Sequence, residues 1–155
     1  MKYDDASWHY GGDFPKDLPP EAGATHTGMF VAWCMLNGLG GALHTEELPD
    51  ILAELKSRKI TPGRFIIKAC DEKFTDEELT AEGNAFAKVY FDFETGKYLA
   101  DYETALSHAY PSQYHVPDTW ENFDKLAPVI ATRFQNWKKY GSVDAPPKPR
   151  WKFWS

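Results

Sequence analysis

Apolar residues spaced three and four apart constrain this chain more than any other feature of its sequence. The clearest run is Trp120, Phe123, Ala127, Ile130, Phe134 and Trp137, a spacing that gathers large side chains on one side of a helix. A second run, Met29, Phe30, Trp33, Cys34 and Leu36, predicts a helix beginning near Thr25 to Thr27 with its apolar surface on one side. Gly38, Gly40 and Gly41 weaken or end it. The apolar stretch from Met29 to Leu43 is broken by Asn37 and falls short of a bilayer span, so it reads as a buried helix.

Start signals divide the remainder. Thr45 caps a predicted helix with Glu46 and Glu47 in its first turn and Leu48, Ile51, Leu52 and Leu55 as its stripe. Thr61-Pro62 opens another, with Phe65, Ile66 and Ala69 toward the core. Thr75 and Glu78 have capping-box spacing ahead of Leu79, Gly83, Phe86, Val89 and Tyr90. Gly83 within that pattern predicts a close helix contact. Phe91 to Tyr98 suits either a helix break or a short hairpin, and Tyr98 to Ala109 suits a helix ending before Pro111. Asp118 and Glu121 are spaced as a capping box for the last helix, which Pro128 should bend.

The prolines and paired glycines of the first twenty residues, among them Gly11, Gly12, Pro15, Pro19 and Pro20, predict an irregular arm whose aromatic residues pack somewhere. The expected architecture is mainly α: a compact single-domain helical fold of five or six helices, with an irregular N-terminal arm and an extended C-terminal tail. The acidic helical domain spans 1–142 and the basic aromatic tail 143–155. The tail should dock on the domain, with Trp151 or Trp154 in an apolar groove.

Charge narrows the partners. Residues 1–132 hold 22 acidic and 11 basic side chains, whereas 133–155 hold 6 basic residues and only Asp144. Such a body should repel nucleic acid and anionic membrane and attract a basic protein. The opening Met1-Lys2-Tyr3-Asp4-Asp5 does not resemble a secretory leader, so a cytoplasmic location is expected. Cys34 and Cys70, each in an apolar segment, read as buried thiols and not as a disulfide. Folding is expected under reducing conditions without metal, as a monomer or weak dimer.

His9, His26, His44, His108 and His115 form no familiar zinc or protease spacing, and the common phosphate, dinucleotide and serine signatures are missing from the sequence. No catalytic, cofactor or metal residue is therefore assigned. The residues suited to an interface are Asp4, Asp5, Trp8, His9, Tyr10 and Asp13, where amphipathic rings sit among charges. Asp4, Asp5, His9, Asp13 and His26 form the best candidate ligand set, and the alternative function is a metal-dependent hydrolase using His9, Asp13 and His26. Sequence spacing gives these groups no common geometry, and they are expected to lie apart or to share ordinary hydrogen bonds. Trp33 and Trp120 read as core residues, and the acidic run Asp71 to Glu78 as a solvated loop and helix start.

Four segments, Tyr3 to Pro15, His26 to Trp33, Phe74 to Leu79 continuing through Glu82 to Ala87, and Asp118 to Asp124, resemble a family of small uncharacterised bacterial proteins, with the similarity covering nearly the whole chain. The resemblance carries no activity and no residue roles. In general character the small acidic chain is similar to immunity proteins. The expected function is accordingly an interaction protein, with toxin neutralisation by direct binding as its specific form, or else a generic binding or scaffold domain.

Overall fold

The computed structural model describes residues 1–10 and 14–146, a single mainly helical unit. Its centre is helix α2 (Thr25–Leu36), which carries no carboxylate, lysine or arginine and is buried from Thr25 through Met35. Burial on all sides replaces the one-sided apolar surface expected from periodicity. Helix α4 (Pro62–Cys70) packs along α2, with α3 (Pro49–Lys56), α5 (Ala81–Tyr90), α6 (Tyr98–Ala105) and α7 (Trp120–Tyr140) completing the shell. Aromatic rings fill the space between: Phe30 of α2 lies 5.1 Å from Phe91 and 5.3 Å from Tyr98, and Phe86 stacks on Tyr90 at 5.1 Å.

The arm is anchored by an element that periodicity does not reveal. Strand β1 (Lys2–Asp5) pairs antiparallel with β2 (Lys73–Thr75), aligning Asp4 with Phe74 and Asp5 with Lys73, and a bulge separates Lys2 from Asp4. A single helical turn, α1 (Ser7–Tyr10), follows, and a 3-10 turn at Pro20–Ala24 leads into α2. Asp5 makes the turn from strand to helix by accepting from the Ser7 amide at 2.9 Å and the Ser7 hydroxyl at 2.7 Å. Lys2 and Ser7 hold its carboxyl below the ordinary range against the opposing effect of burial.

Several start signals act one step away from where spacing puts them. Thr45 does not cap α3; residues Leu43–Glu47 form a π-helical turn and α3 starts at Pro49. A proline clashes with the carbonyl four residues back, here that of Thr45, so a helix begun at Thr45 stops and Pro49 opens a new one. The Thr75–Glu78 box forms, with Glu78 Oε2 accepting from the Thr75 amide at 2.6 Å and its hydroxyl at 2.7 Å, but it closes only the 3-10 turn Asp76–Glu78. Helix α5 starts after Thr80, whose hydroxyl accepts from the Gly83 amide at 3.1 Å. Glu78 itself is buried, a departure from the expected solvated acidic run.

Helix α7 is capped by Thr119, not Asp118, through the Asn122 amide at 3.2 Å. Asp118 instead accepts from the Gly63 amide at 2.9 Å and from Thr61 at 2.5 Å, clamping the start of α4 to the start of α7. Thr61 and Pro62 begin α4 as expected. Asp92 settles the 91–98 segment as a turn by accepting from the Glu94 and Thr95 amides at 2.8 and 2.9 Å. The predicted 98–109 helix ends at Ala105, and a separate 3-10 turn covers Ser107–Ala109.

Helix α7 continues through Pro128 and presents Arg133 to Asp101, with contacts of 2.8 and 2.9 Å. Asp101 also accepts from the Tyr90 hydroxyl at 2.7 Å. Arg133 reaches the Val143 carbonyl at 3.2 Å, and Val143 is buried, so the first residues past α7 fold back on the domain. The expected docking of Trp151 or Trp154 lies outside the described residues. Cys34 and Cys70 are free and buried, and among the described residues no helix is long and apolar enough to cross a membrane.

Gly28 permits the central crossing. A Cβ there would sit 2.6 Å from the Pro62 carbonyl oxygen and 2.8 Å from the Gly63 Cα, both on backbone that cannot swing aside as a side chain would. Gly28→Ala should therefore separate α2 from α4 and destabilise the fold by about 1–3 kcal/mol. Urea unfolding of the two proteins measures this, and an unchanged midpoint would contradict the crossing described.

Candidate metal centre

Four elements deliver one polar cluster into an otherwise aromatic interior. Strand β1 supplies Asp4, α1 supplies His9, the first turn of α2 supplies His26 and Thr27, and the turn before α7 supplies Tyr114. Asp4 is aligned by its pairing with Phe74, and its carboxylate accepts from the Thr27 hydroxyl. His9 Nε2 lies 2.8 Å from Asp4 Oδ1, and His9 Nδ1 lies 2.7 Å from the Tyr114 hydroxyl. The His26 ring meets His9 edge-on at 4.8 Å between centroids. Its Nε2 stands 3.4 Å from Asp4 Oδ2. Asp4 is 1% exposed and His26 0%, whereas the His9 side chain keeps 14%.

His26 is the unusual member. Among the described residues neither of its ring nitrogens has a hydrogen-bond partner, even though Nε2 faces the Asp4 carboxylate. A buried polar atom left unpaired costs about 1–3 kcal/mol and calls for a physical cause. Burial, by disfavouring the imidazolium, holds the His26 pKa below the ordinary histidine value in spite of the nearby carboxylate. A neutral ring with an available lone pair is the form that binds a metal. Asp4 moves the other way: burial raises its pKa, but the His26 and His9 side chains outweigh this and leave it ionised far below the usual carboxylate range.

His9 can serve either state of the cluster. With Nε2–H donating to Asp4, the Tyr114 hydroxyl donates to Nδ1; with Nδ1–H donating to the Tyr114 oxygen, the Nε2 lone pair is free for a ligand. The tyrosine accommodates both tautomers without moving. Donor atoms of Asp4, His9 and His26 lie within 4.8 Å of one another. Zinc bonds of about 2.0–2.1 Å at tetrahedral angles put neighbouring ligand atoms about 3.3 Å apart, so closing the donor separations by at most about 1.5 Å would bring three donors to one ion. Tyr114 also lines a cleft of about 470 Å³ whose walls include Leu18, Thr25, Arg64 and Asp118.

Of the two outcomes expected, separation or ordinary hydrogen bonding, the fold shows the second: His9 and His26 are in ring contact, and His9 hydrogen-bonds to Asp4 and Tyr114. Their carboxylate partner is Asp4, and Asp13 lies outside the described residues. Of the residues assigned to an interface, Trp8 is 56% exposed, His9 and Tyr10 are partly buried, and Asp4 and Asp5 are buried. Thr27 and Tyr114 were absent from the candidate set. Tyr114 stands 105 positions from His9, and only folding joins them.

Residues 2–116 match the sequence profile of a family described as a domain of unknown function, DUF7832. The chain belongs to this family. The matched span contains Asp4, His9, His26, Thr27 and Tyr114 and ends before α7, short of the resemblance expected at Asp118 to Asp124. No curated protein and no solved structure matches the chain. Family membership assigns this DUF7832 member no activity; what its site can do follows from the geometry of its own side chains.

The cluster has an acid signature. The metal-free folded state disfavours protonated His26, so the unfolded chain takes up the proton first, near its ordinary pKa of about 6.5. The contribution of His26 is complete above that pH and is lost as pH falls below it; the depressed Asp4 adds a loss of the same sign below about pH 4. Urea unfolding with EDTA should show stability falling between pH 7.5 and 5.5, and His26→Asn should flatten that segment. An unchanged slope in the variant would contradict the assigned state of His26.

Proposed function

We propose that this chain is a metal-dependent hydrolase whose divalent ion is held by Asp4, His9 and His26. The observation that carries the reading is the fully buried His26 Nε2, 3.4 Å from Asp4 Oδ2 and, among the described residues, outside hydrogen-bond geometry. An ion between these groups satisfies that nitrogen, neutralises the buried carboxylate and uses the second imidazole already in place. Two imidazoles and one carboxylate suit zinc and related divalent metals and leave a coordination position open. A bound ion supplies a water whose pKa falls to about 7, a hydroxide source at neutral pH.

The chain's own residues do the rest. Tyr114 holds the orientation of the His9 ring, Thr27 fixes one Asp4 oxygen, and His9, the most exposed of the three donors, lies on the side from which solvent reaches the cluster. The aromatic walls provided by Phe93 and Tyr114 around His9 limit the water that enters. This role replaces the interaction-protein reading as the better supported one. Toxin binding rests on net charge and the exposed Trp8, neither of which specifies a partner.

Titration with Zn²⁺ against a chromophoric chelator tests the site, and a panel of chromogenic esters and phosphoesters tests the chemistry. His9→Ala and Asp4→Asn should each weaken binding by about 100-fold or more, and Tyr114→Phe by about 10-fold through the loss of ligand orientation. Zinc-dependent turnover should fall with binding in the same order. A folded chain whose zinc affinity is indifferent to all three substitutions would overturn the assignment.

A further inference from the structure

A second cluster, with different chemistry, lies outside the Asp4 centre. His44 sits in the π-helical turn after α2, Cys70 is the last residue of α4, and Glu78 ends the 3-10 turn after β2. All three are buried: His44 is 0% exposed, Cys70 8% and Glu78 4%. Backbone contacts bring their segments together, since Gly41 donates its amide to the Glu78 carbonyl at 2.9 Å and Gly40 bridges to Leu79. The ring of His44 packs against Phe65 at 5.5 Å.

The arrangement is not a catalytic relay. In a Cys–His–Glu relay the thiol and the carboxylate approach opposite nitrogens of the ring. Here Cys70 Sγ lies 3.8 Å and Glu78 Oε1 3.9 Å from the same atom, His44 Nε2. One nitrogen cannot hydrogen-bond both well, and 3.9 Å is too long for such a bond to oxygen. Three different donors facing one point at these separations suit a central ion: zinc bonds of about 2.3 Å to sulfur and 2.0–2.2 Å to nitrogen or oxygen put the donors about 3.3–3.6 Å apart. The other Glu78 oxygen is held by the Thr75 amide and hydroxyl, which fixes the carboxylate in position.

We propose that His44, Cys70 and Glu78 form a second metal site, selective for zinc-class ions and structural in role, that ties the turn after α2 to the end of α4 and the turn after β2. The thiolate makes it softer than the Asp4 centre, which has only nitrogen and oxygen donors. With all three side chains buried, the ion enters as the chain folds, and binding releases the Cys70 proton. The aromatic core lets the chain fold without the ion, so the site adds stability to a fold that already exists.

Refolding the full chain with Co²⁺ separates this proposal from the first one, because only a cysteine ligand gives a near-ultraviolet thiolate-to-cobalt charge-transfer band. Wild type and Cys34→Ala should show the band; Cys70→Ala should lose it whether or not the Asp4 centre binds cobalt. A folded wild type without the band, or a band that survives Cys70→Ala, overturns the second site and leaves the first untouched. Where Cys70→Ala does not fold, alkylation of wild type in mild denaturant provides the readout: Zn²⁺ should protect Cys70 at least tenfold more than Cys34, and equal labelling overturns the proposal.

Discussion

Burial of α2 on every side is the constraint on which the rest of the structure depends. A helix with one apolar face needs one partner, but Thr25 through Met35 need a complete shell, supplied by α4, the aromatic residues of α5 and α6, and α7. Gly28 lets α4 approach closely enough to close that shell. The same burial carries Thr25, His26 and Thr27 into the interior, where polar groups are costly unless satisfied. Asp4 meets Thr27, carried there by the register of β1 on β2. The polar cluster is therefore part of the solution to burying the first turn of α2.

The two proposed centres divide the donor types of the chain between them. The Asp4 centre begins in the first turn of α2, uses imidazole and carboxylate, and keeps one histidine partly exposed. The His44 centre follows the other end of α2 in the chain, uses a thiol as well, and has all three side chains buried. A site with a partly exposed histidine suits chemistry on a bound water, and a buried one with sulfur suits a structural ion. All six residues lie within the span shared with the DUF7832 family.

Helices were legible where periodicity and a strong local stop agreed. Thr25–Leu36 and Pro62–Cys70 start where their residues indicate, because the Thr61 cap, Pro62 and the apolar spacing all act over a few positions. Thr45 misled because Pro49, four residues on, overrides a cap, and Asp118 misled because its carboxylate is taken by α4. The strand β1 was not legible at all: four residues, two of them aspartates, carry no β pattern, and their order comes from β2 some seventy positions away. His9 and His26 were visible as ligand types, but their convergence, the choice of Asp4, and the parts of Tyr114 and Cys70 are long-range facts that no spacing encodes.

The central claim is that Asp4, His9 and His26 act on one ion. Anomalous diffraction at the zinc edge, from crystals grown with Zn²⁺, tests it most directly. A peak is expected about 2.0–2.2 Å from Nε2 of both histidines and from an Asp4 oxygen, with His9 Nδ1 still bonded to Tyr114. Density at full zinc occupancy elsewhere, with His9 Nε2 still hydrogen-bonded to Asp4 and no peak between the two rings, would contradict it.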